Sequence, residues 1–484
     1  MVAAWRQVCR TMNLFRRKLP HADERDGLRR CLSAADLTFL GIGNMIGTGI
    51  FVLTGVAAAT QAGPAIVLSF IVAGIACIFV AFSYAELAAS VGGCGGAYGY
   101  AYAAFGELPA WVIGWNLAFG LGTACAAVAN GWSGYFNNAL AAMGIFLPEA
   151  LTKGPVAGGI INVPAMGVIV LIMLALFAGV KQSAKLNRLI VFAKLTAIGI
   201  FIAVAVFHVN TALMHPFLPY GWFRHQPDGK TVGVLAAASL VFFAYRGFQN
   251  VSLAVEEANN PQRDMPIGII GSLTVCTLIY LSVSGLLTLI APYDVLNVSS
   301  PVAFALLRLG YNWGSVLVAA GVIIGLTSTM LVLYYALTRL LFAISRDGLL
   351  PPFFGALDPR THTPANAIVL AGIIMALAAG LAPLGALAEL VNAGTLAEFM
   401  LVSIGVIVLR LMRPNLPRPF KAPGGVTIPV LAVISCGALL SFLPLVSLAR
   451  FAMYLTAGLA VYFLYAARRS RAANATLPDE IAAE

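Results

Sequence analysis

Long apolar runs separated by short polar joints set the pattern of this chain. Residues 36–60, 64–89, 108–140, 163–180, 186–208, 232–256, 267–291, 312–344, 365–382, 386–411, 428–448 and 451–467 are each predominantly apolar. A membrane-spanning helix takes about 20 such residues. The pattern therefore predicts an all-α integral membrane protein with about twelve transmembrane helices. The runs are continuous and do not alternate polar with apolar, which excludes a β-barrel. In lipid, a continuous apolar run satisfies its own backbone only as a helix. The third and eighth runs are long enough to tilt strongly or to extend past the bilayer. Between the seventh and eighth, Ser300–Leu309 reads as a short surface helix.

Two runs are interrupted. The first contains Gly41-Ile42-Gly43-Asn44-Met45-Ile46-Gly47-Thr48-Gly49, and the sixth contains Ala244-Tyr245-Arg246-Gly247-Phe248-Gln249-Asn250. The interruptions lie five runs apart. Broken helices at matching positions of two halves point to an inverted repeat with a binding site at mid-membrane depth. Glycines that merely let helices pack closely are the alternative, but the threonine and asparagine in the first run exceed what packing needs.

Composition supports the membrane class. The chain is 60% hydrophobic and 10% charged, with a mean hydropathy of +0.90, against roughly 25% charged residues in soluble proteins. A soluble enzyme, a disordered chain and a secreted disulfide scaffold are excluded. The net charge of +10 comes from residues placed between apolar runs, with no dense basic patch for nucleic acid. With the N-terminus inside, 22 Lys/Arg fall on inner segments and 5 on outer ones, while Lys194 and Arg246 lie within runs. That asymmetry places both termini in the cytoplasm. The expected organisation is a cytoplasmic N-terminal tail (1–34), a core of ten helices (35–411), two further helices with their preceding loop (412–468) and a C-terminal tail (469–484). No removable signal peptide is expected, and Met12 opens an alternative start. The seven cysteines show no metal or disulfide spacing and read as packing residues.

The motifs now carry a resemblance. Gly41 to Phe51 resembles the first-helix signature of the amino acid–polyamine–organocation superfamily. Glu256-Glu257 with Asn260 to Ile269, Ser345 to Pro352, Gly394-Thr395, Leu401 to Ile404 and Arg413 to Pro423 are similar to its bacterial cationic amino acid transporter branch. The matches run in order from about residue 32 to 450. The resemblance implies a five-plus-five inverted repeat with helices one and six broken, two extra helices, and transport of an amino acid or related amine by alternating access.

An amino acid brings a carboxylate and an ammonium into low dielectric, where both need partners. The N-terminal end of the outer half of helix one offers free N–H groups and the positive end of a dipole. The carboxylate is therefore expected at Gly47, Thr48 and Gly49. The ammonium is expected at the carbonyls of Met45, Ile46, Phe243, Ala244 and Arg246, positions that also match the family's substrate contacts. Lys194, deep in an otherwise uncharged run, is a functional candidate by its depth, with a side chain snorkelling to the interface as the alternative. In related proton-coupled transporters a lysine at this place substitutes for sodium, and Thr327 and Ser328 resemble the residues flanking it. Phe243, Tyr245 and Phe248 read as packing or gating aromatics, and Glu86 as structural.

The chain departs from the cationic branch at four positions. Trp115-Asn116-Leu117 is followed by Gly120 where the branch often has an acid. Arg246 and Gln249 replace an apolar residue and an aspartate, and Glu398 stands where a small apolar residue is usual. These departures argue against simple dibasic recognition, and an Arg246–Glu398 ion pair is the expectation. The reading is a proton-coupled amino acid permease of the cell (inner) membrane. The alternatives are an amino acid/amine exchanger without ion coupling and a non-transporting sensor. No enzyme, metal or cofactor is expected, since no nucleophile–base pair, metal cluster or nucleotide-binding motif is present in the sequence.

Overall fold

Ser33 starts the first helix with a reciprocal cap: its hydroxyl accepts from the Asp36 amide at 3.3 Å, and the Asp36 carboxylate accepts from the Ser33 amide at 3.1 Å. The computed structural model describes residues 32–91, 96–179, 184–226, 231–358 and 363–467. Nearly all of the tails expected at 1–34 and 469–484, together with Cys9, Cys31 and Cys94, lies outside the described residues. The helices used below are α1 (Ala34–Met45), α2 (Ile66–Ser90), α3 (Gly96–Ala104), α4 (Glu107–Ala142), α5 (Val163–Phe177), α6 (Ala184–Ala205) and α7 (Val234–Val241). They continue with α8 (Pro261–Ile290), α9 (Pro301–Arg308), α10 (Asn312–Arg346), α11 (Ala365–Leu381), α12 (Leu384–Met412), α13 (Thr427–Ser441) and α14 (Leu445–Val461).

Eight helical stretches among the described residues are long and apolar enough to cross a bilayer, and three shorter apolar helices, α5, α11 and α13, accompany them. The protein is a multi-pass, almost entirely helical membrane protein. The first expected run does not form one helix. Ile46 leaves helical geometry at φ −74°, ψ 100°, so α1 is only 12 residues long. The outer half, Gly49–Ala62, then meets α2 across a turn at Gly63 (φ +64°) and Pro64. The run expected at 428–448 stops at Ser441, because Pro444 cannot sit inside a helix and caps α14 instead. α8 begins at Pro261, before the expected 267, with Asp264 accepting from the Asn260 amide at 3.0 Å. The helix expected at 300–309 forms as α9. Helix α3, between the second and third runs, and a short antiparallel pair, Arg224–His225 with Thr231–Val232, had no sequence expectation.

Large apolar side chains face outward along the bundle, such as Leu189 and Phe192 on α6 and Leu171 on α5, which is the inverse of a soluble surface. The charged groups at mid-run, Lys194, Arg246 and Glu398, face inward. α8 packs along both α1 and α2, while α4 packs against α10 and α12. At the Ser33 end of α1, Leu32 pairs with the end of the sixth run: its amide donates to Glu257 O at 2.9 Å and its carbonyl accepts from the Asn259 amide at 2.9 Å.

Candidate functional site

The two interruptions cross each other at the centre of the bundle. In the sixth run, α7 passes through a tight turn at Phe242–Tyr245, Arg246 is extended (φ −65°, ψ 124°), and Gly247 takes φ +143° before helical turns resume at Phe248. Gly247 is required twice over. Its φ is one that side chains rarely adopt, and a Cβ there would stand 2.8 Å from the Asn44 carbonyl carbon. Gly49 is equally confined, since a Cβ on it would strike the Cα of Ala244. The breaks therefore touch backbone to backbone at Asn44–Gly247 and Gly49–Ala244.

At the first break the amides of Gly47, Thr48 and Gly49 make no backbone hydrogen bond, and the chain turns helical again only as Ile50 and Phe51 donate to Gly47 O at 3.2 and 3.3 Å. The Thr48 hydroxyl is buried without a partner and packs over Gly131 of α4, where a Cβ would lie 2.8 Å from it. Unpaired donors at the start of a helix form an anion-binding end.

Four of the five carbonyls expected to take an ammonium already have protein partners, Arg246 O being the exception among the described residues. Met45 O and Ala244 O each lie 2.8 Å from the Tyr280 hydroxyl of α8, Ile46 O accepts from Lys194 at 2.9 Å, and Phe243 O accepts from the Arg246 amide at 3.3 Å. Buried carbonyls are seldom left unpaired, and each retains a second lone pair.

Lys194 does not snorkel. Its ammonium donates to Gly43 O at 2.8 Å, Ile46 O at 2.9 Å and Thr329 Oγ1 at 2.8 Å, so it ties α6 and α10 to the first break. Gly325 makes the channel for its stem, as a Cβ there would stand 2.7 Å from Lys194 Cε. The hydroxyl beside the lysine is thus Thr329. Thr327, two residues earlier and on another face of α10, donates to Ile323 O at 2.8 Å and accepts from Trp132 at 3.0 Å. Ser328, between them, is buried. Gly325 and Thr329 share one face at i, i+4, a spacing that would have distinguished Thr329 in the Thr-Ser-Thr run.

The selectivity candidates form a second cluster without the expected ion pair. Among the described residues the close ion pairs are Lys153–Glu149, Arg188–Asp36, Arg410–Glu86 and Arg418–Glu86. Arg246 makes none. Tyr84 of α2 intercepts Glu398, donating to its Oε1 at 2.6 Å, and Gly120 leaves open space that the guanidinium fills, so that a Cβ at 120 would stand 3.1 Å from Arg246 Nη2. Gln249 folds back to accept from the Gly247 amide at 2.8 Å, leaving its own NH2 unpaired. Of the aromatics, Tyr245 serves the scaffold, donating to Phe70 O at 2.8 Å. Phe248 packs edge-on against Tyr84 and tilted against Phe399. Tyr280 and Tyr84 were the signals missed: each is a buried hydroxyl in an apolar run, and such a group needs a partner.

Discontinuous helices crossing in the middle of a multi-pass bundle are the architecture of a membrane permease. The amino acid permease family pattern matches residues 32–465, and the chain belongs to that family, within the amino acid–polyamine–organocation superfamily. It is 46% identical to a methylthioribose transporter of Bacillus subtilis over 467 residues, 95% of this chain and 99% of that protein. It is 45% identical to a branched-chain amino acid permease of the same organism over 449 residues, 92% and 94% of the two chains. A vacuolar cationic amino acid transporter 4 of Arabidopsis thaliana is 34% identical over 402 residues, covering 82% of this chain and 66% of that protein.

Proposed function

We propose that this protein is a secondary active transporter of small, uncharged-side-chain amino acids or solutes of similar size, driven by protons and working by alternating access in the cell membrane. The observation that carries the reading is Lys194: a buried ammonium bonded to Gly43 O and Ile46 O occupies the inner side of the first break, where a coupling cation would sit. A lysine there can gain and lose a proton, whereas a sodium site would need oxygen ligands alone. Neutral Lys194 would lose its charge and one of the three donors that hold Gly43 O, Ile46 O and Thr329, which would loosen α6 and α10 from the break and give proton binding a structural effect.

The substrate carboxylate is assigned to the amides of Gly47, Thr48 and Gly49 with the Thr48 hydroxyl, and the ammonium to the spare lone pairs of the carbonyls facing them. Gly120 removes the acid that a dibasic side chain would seek. The relatives named for methylthioribose and for branched-chain amino acids both support an uncharged cargo. The reading includes twelve spans with both termini cytoplasmic and a five-plus-five inverted repeat. The paired breaks and the excess of inner basic residues support it.

The test is uptake of radiolabelled leucine and methylthioribose into proteoliposomes. An inward proton gradient should drive accumulation without sodium, and Lys194→Ala should abolish that drive. A strict sodium requirement, or unaltered pH-driven uptake in Lys194→Ala, would overturn the assignment.

A further inference from the structure

Arg246 is the buried charge that transport coupling leaves unused. Its side chain is almost fully enclosed, its Nε has no partner, and its guanidinium makes neither a hydrogen bond nor an ion pair. An arginine is always charged and presents five donors in a fixed fork, and leaving it unpaired at this depth is costly. The acid nearest in chemistry, Glu398, is turned aside: one of its oxygens is held by Tyr84 at 2.6 Å and the other carries no hydrogen bond. Gln249, on the same turn as Arg246, adds an unpaired NH2. The Gly120 clearance leaves room for the guanidinium, which Glu398 answers through space without a close ion pair.

The result is one polar end of the site that offers unpaired donors from Arg246 and Gln249 and an unpaired acceptor from Glu398, with opposite charges that cancel. An anionic ligand would meet Glu398, and a cationic ligand would meet Arg246. A purely apolar end would leave all of these groups unpaired. A hydroxyl both donates and accepts on one small group, so it answers both. We infer that Arg246 and Glu398 together set specificity for an uncharged cargo whose distal end bears hydroxyl groups. A pentose thioether and a hydroxy amino acid share this chemistry. The inference rests on the reading that the two breaks hold the transported molecule.

The experiment is competitive binding to the purified full-length protein in liposomes, with methylthioribose, threonine, leucine, glutamate and lysine as probes. The wild type should bind methylthioribose or threonine about tenfold or more tighter than the other three, and whichever of the two prevails identifies the source of the hydroxyls. Arg246→Met should cost the hydroxyl-bearing probe about tenfold while leaving leucine within about threefold. Glu398→Gln should admit glutamate, because the guanidinium is then unbalanced. Gly120→Ala, which crowds the guanidinium without removing a charge, should repeat the loss of the hydroxyl-bearing probe and stands in if Arg246→Met does not fold. Leucine binding tightest in the wild type, or an equal loss for leucine and the hydroxyl-bearing probe in Arg246→Met or Gly120→Ala, overturns this inference and leaves the transport reading standing. Binding of none of the five probes by the wild type counts against both.

Discussion

A threonine hydroxyl buried without a partner, as at Thr48, is unfavourable in the empty protein. The cost of such an orphan is about 1–3 kcal/mol. Its presence makes sense if the missing partner is the cargo. Thr48→Val should therefore separate stability from binding. The melting temperature of the purified protein should hold or rise, while affinity for the transported molecule falls by about tenfold or more, the weight of one hydrogen bond to a charged group. A parallel loss of stability and binding would mean that the hydroxyl serves the fold. Gly49 sets the complementary limit, because any side chain there collides with the backbone of Ala244 and should abolish binding.

At the scale of elements, the two breaks are held by neighbours more than by one another. Tyr280 of α8 joins the Met45 and Ala244 carbonyls, one from each break. Tyr280→Phe removes the only side-chain donor these carbonyls have among the described residues, and should lower stability by about 1–3 kcal/mol. Thermal unfolding would show the drop, and an unchanged melting temperature would count against the bridge. The positions of both breaks were legible in the sequence, because glycine and polar residues stand out in apolar runs. So was the place of Lys194 within a run, because a charge at that depth is conspicuous. The partners were not legible. Thr329 and Thr327 differ only in which way a helix turns them, and Tyr84 and Tyr280 look like ordinary apolar-run aromatics until their hydroxyls are placed. Nor was the partner of Glu398 legible: local sequence shows which charges are buried, but a third element, α2, supplied the tyrosine that holds its carboxylate in place of a direct salt bridge to Arg246. Helix ends were displaced where a proline decided them, as at Pro261 and Pro444.

Across the whole molecule, the segment between α12 and α13 is strapped to the C-terminal end of α2. The carboxylate of Glu86 receives Arg410 through two nitrogens, Nε at 2.8 Å, and the Ala422 amide at 2.8 Å, while Phe420 stacks on Phe82. Arg418 caps the end of α12 by donating to Leu409 O at 2.9 Å and Arg413 O at 2.8 Å. Removing one member of a buried ion pair costs about 3–5 kcal/mol. Arg410→Met should thus expose the strap, seen as faster tryptic cleavage after Lys421 in detergent-solubilised protein. Arg418, 3.7 Å from Glu86, and the Ala422 amide then hold the carboxylate alone, so Glu86→Gln in the same background should speed the cleavage further. Cleavage at the wild-type rate in Arg410→Met would show that the strap is held by other means.

The Tyr280 hydroxyl carries one proton and faces two carbonyls at the same 2.8 Å. It can serve only one of them at an instant, so one carbonyl, belonging to either break, is always waiting. Switching between them takes a small rotation about a single C–O bond and moves no backbone. The contact between the two breaks is consequently closed by a bond that trades sides freely, as a bearing keeps two surfaces in register while letting them turn.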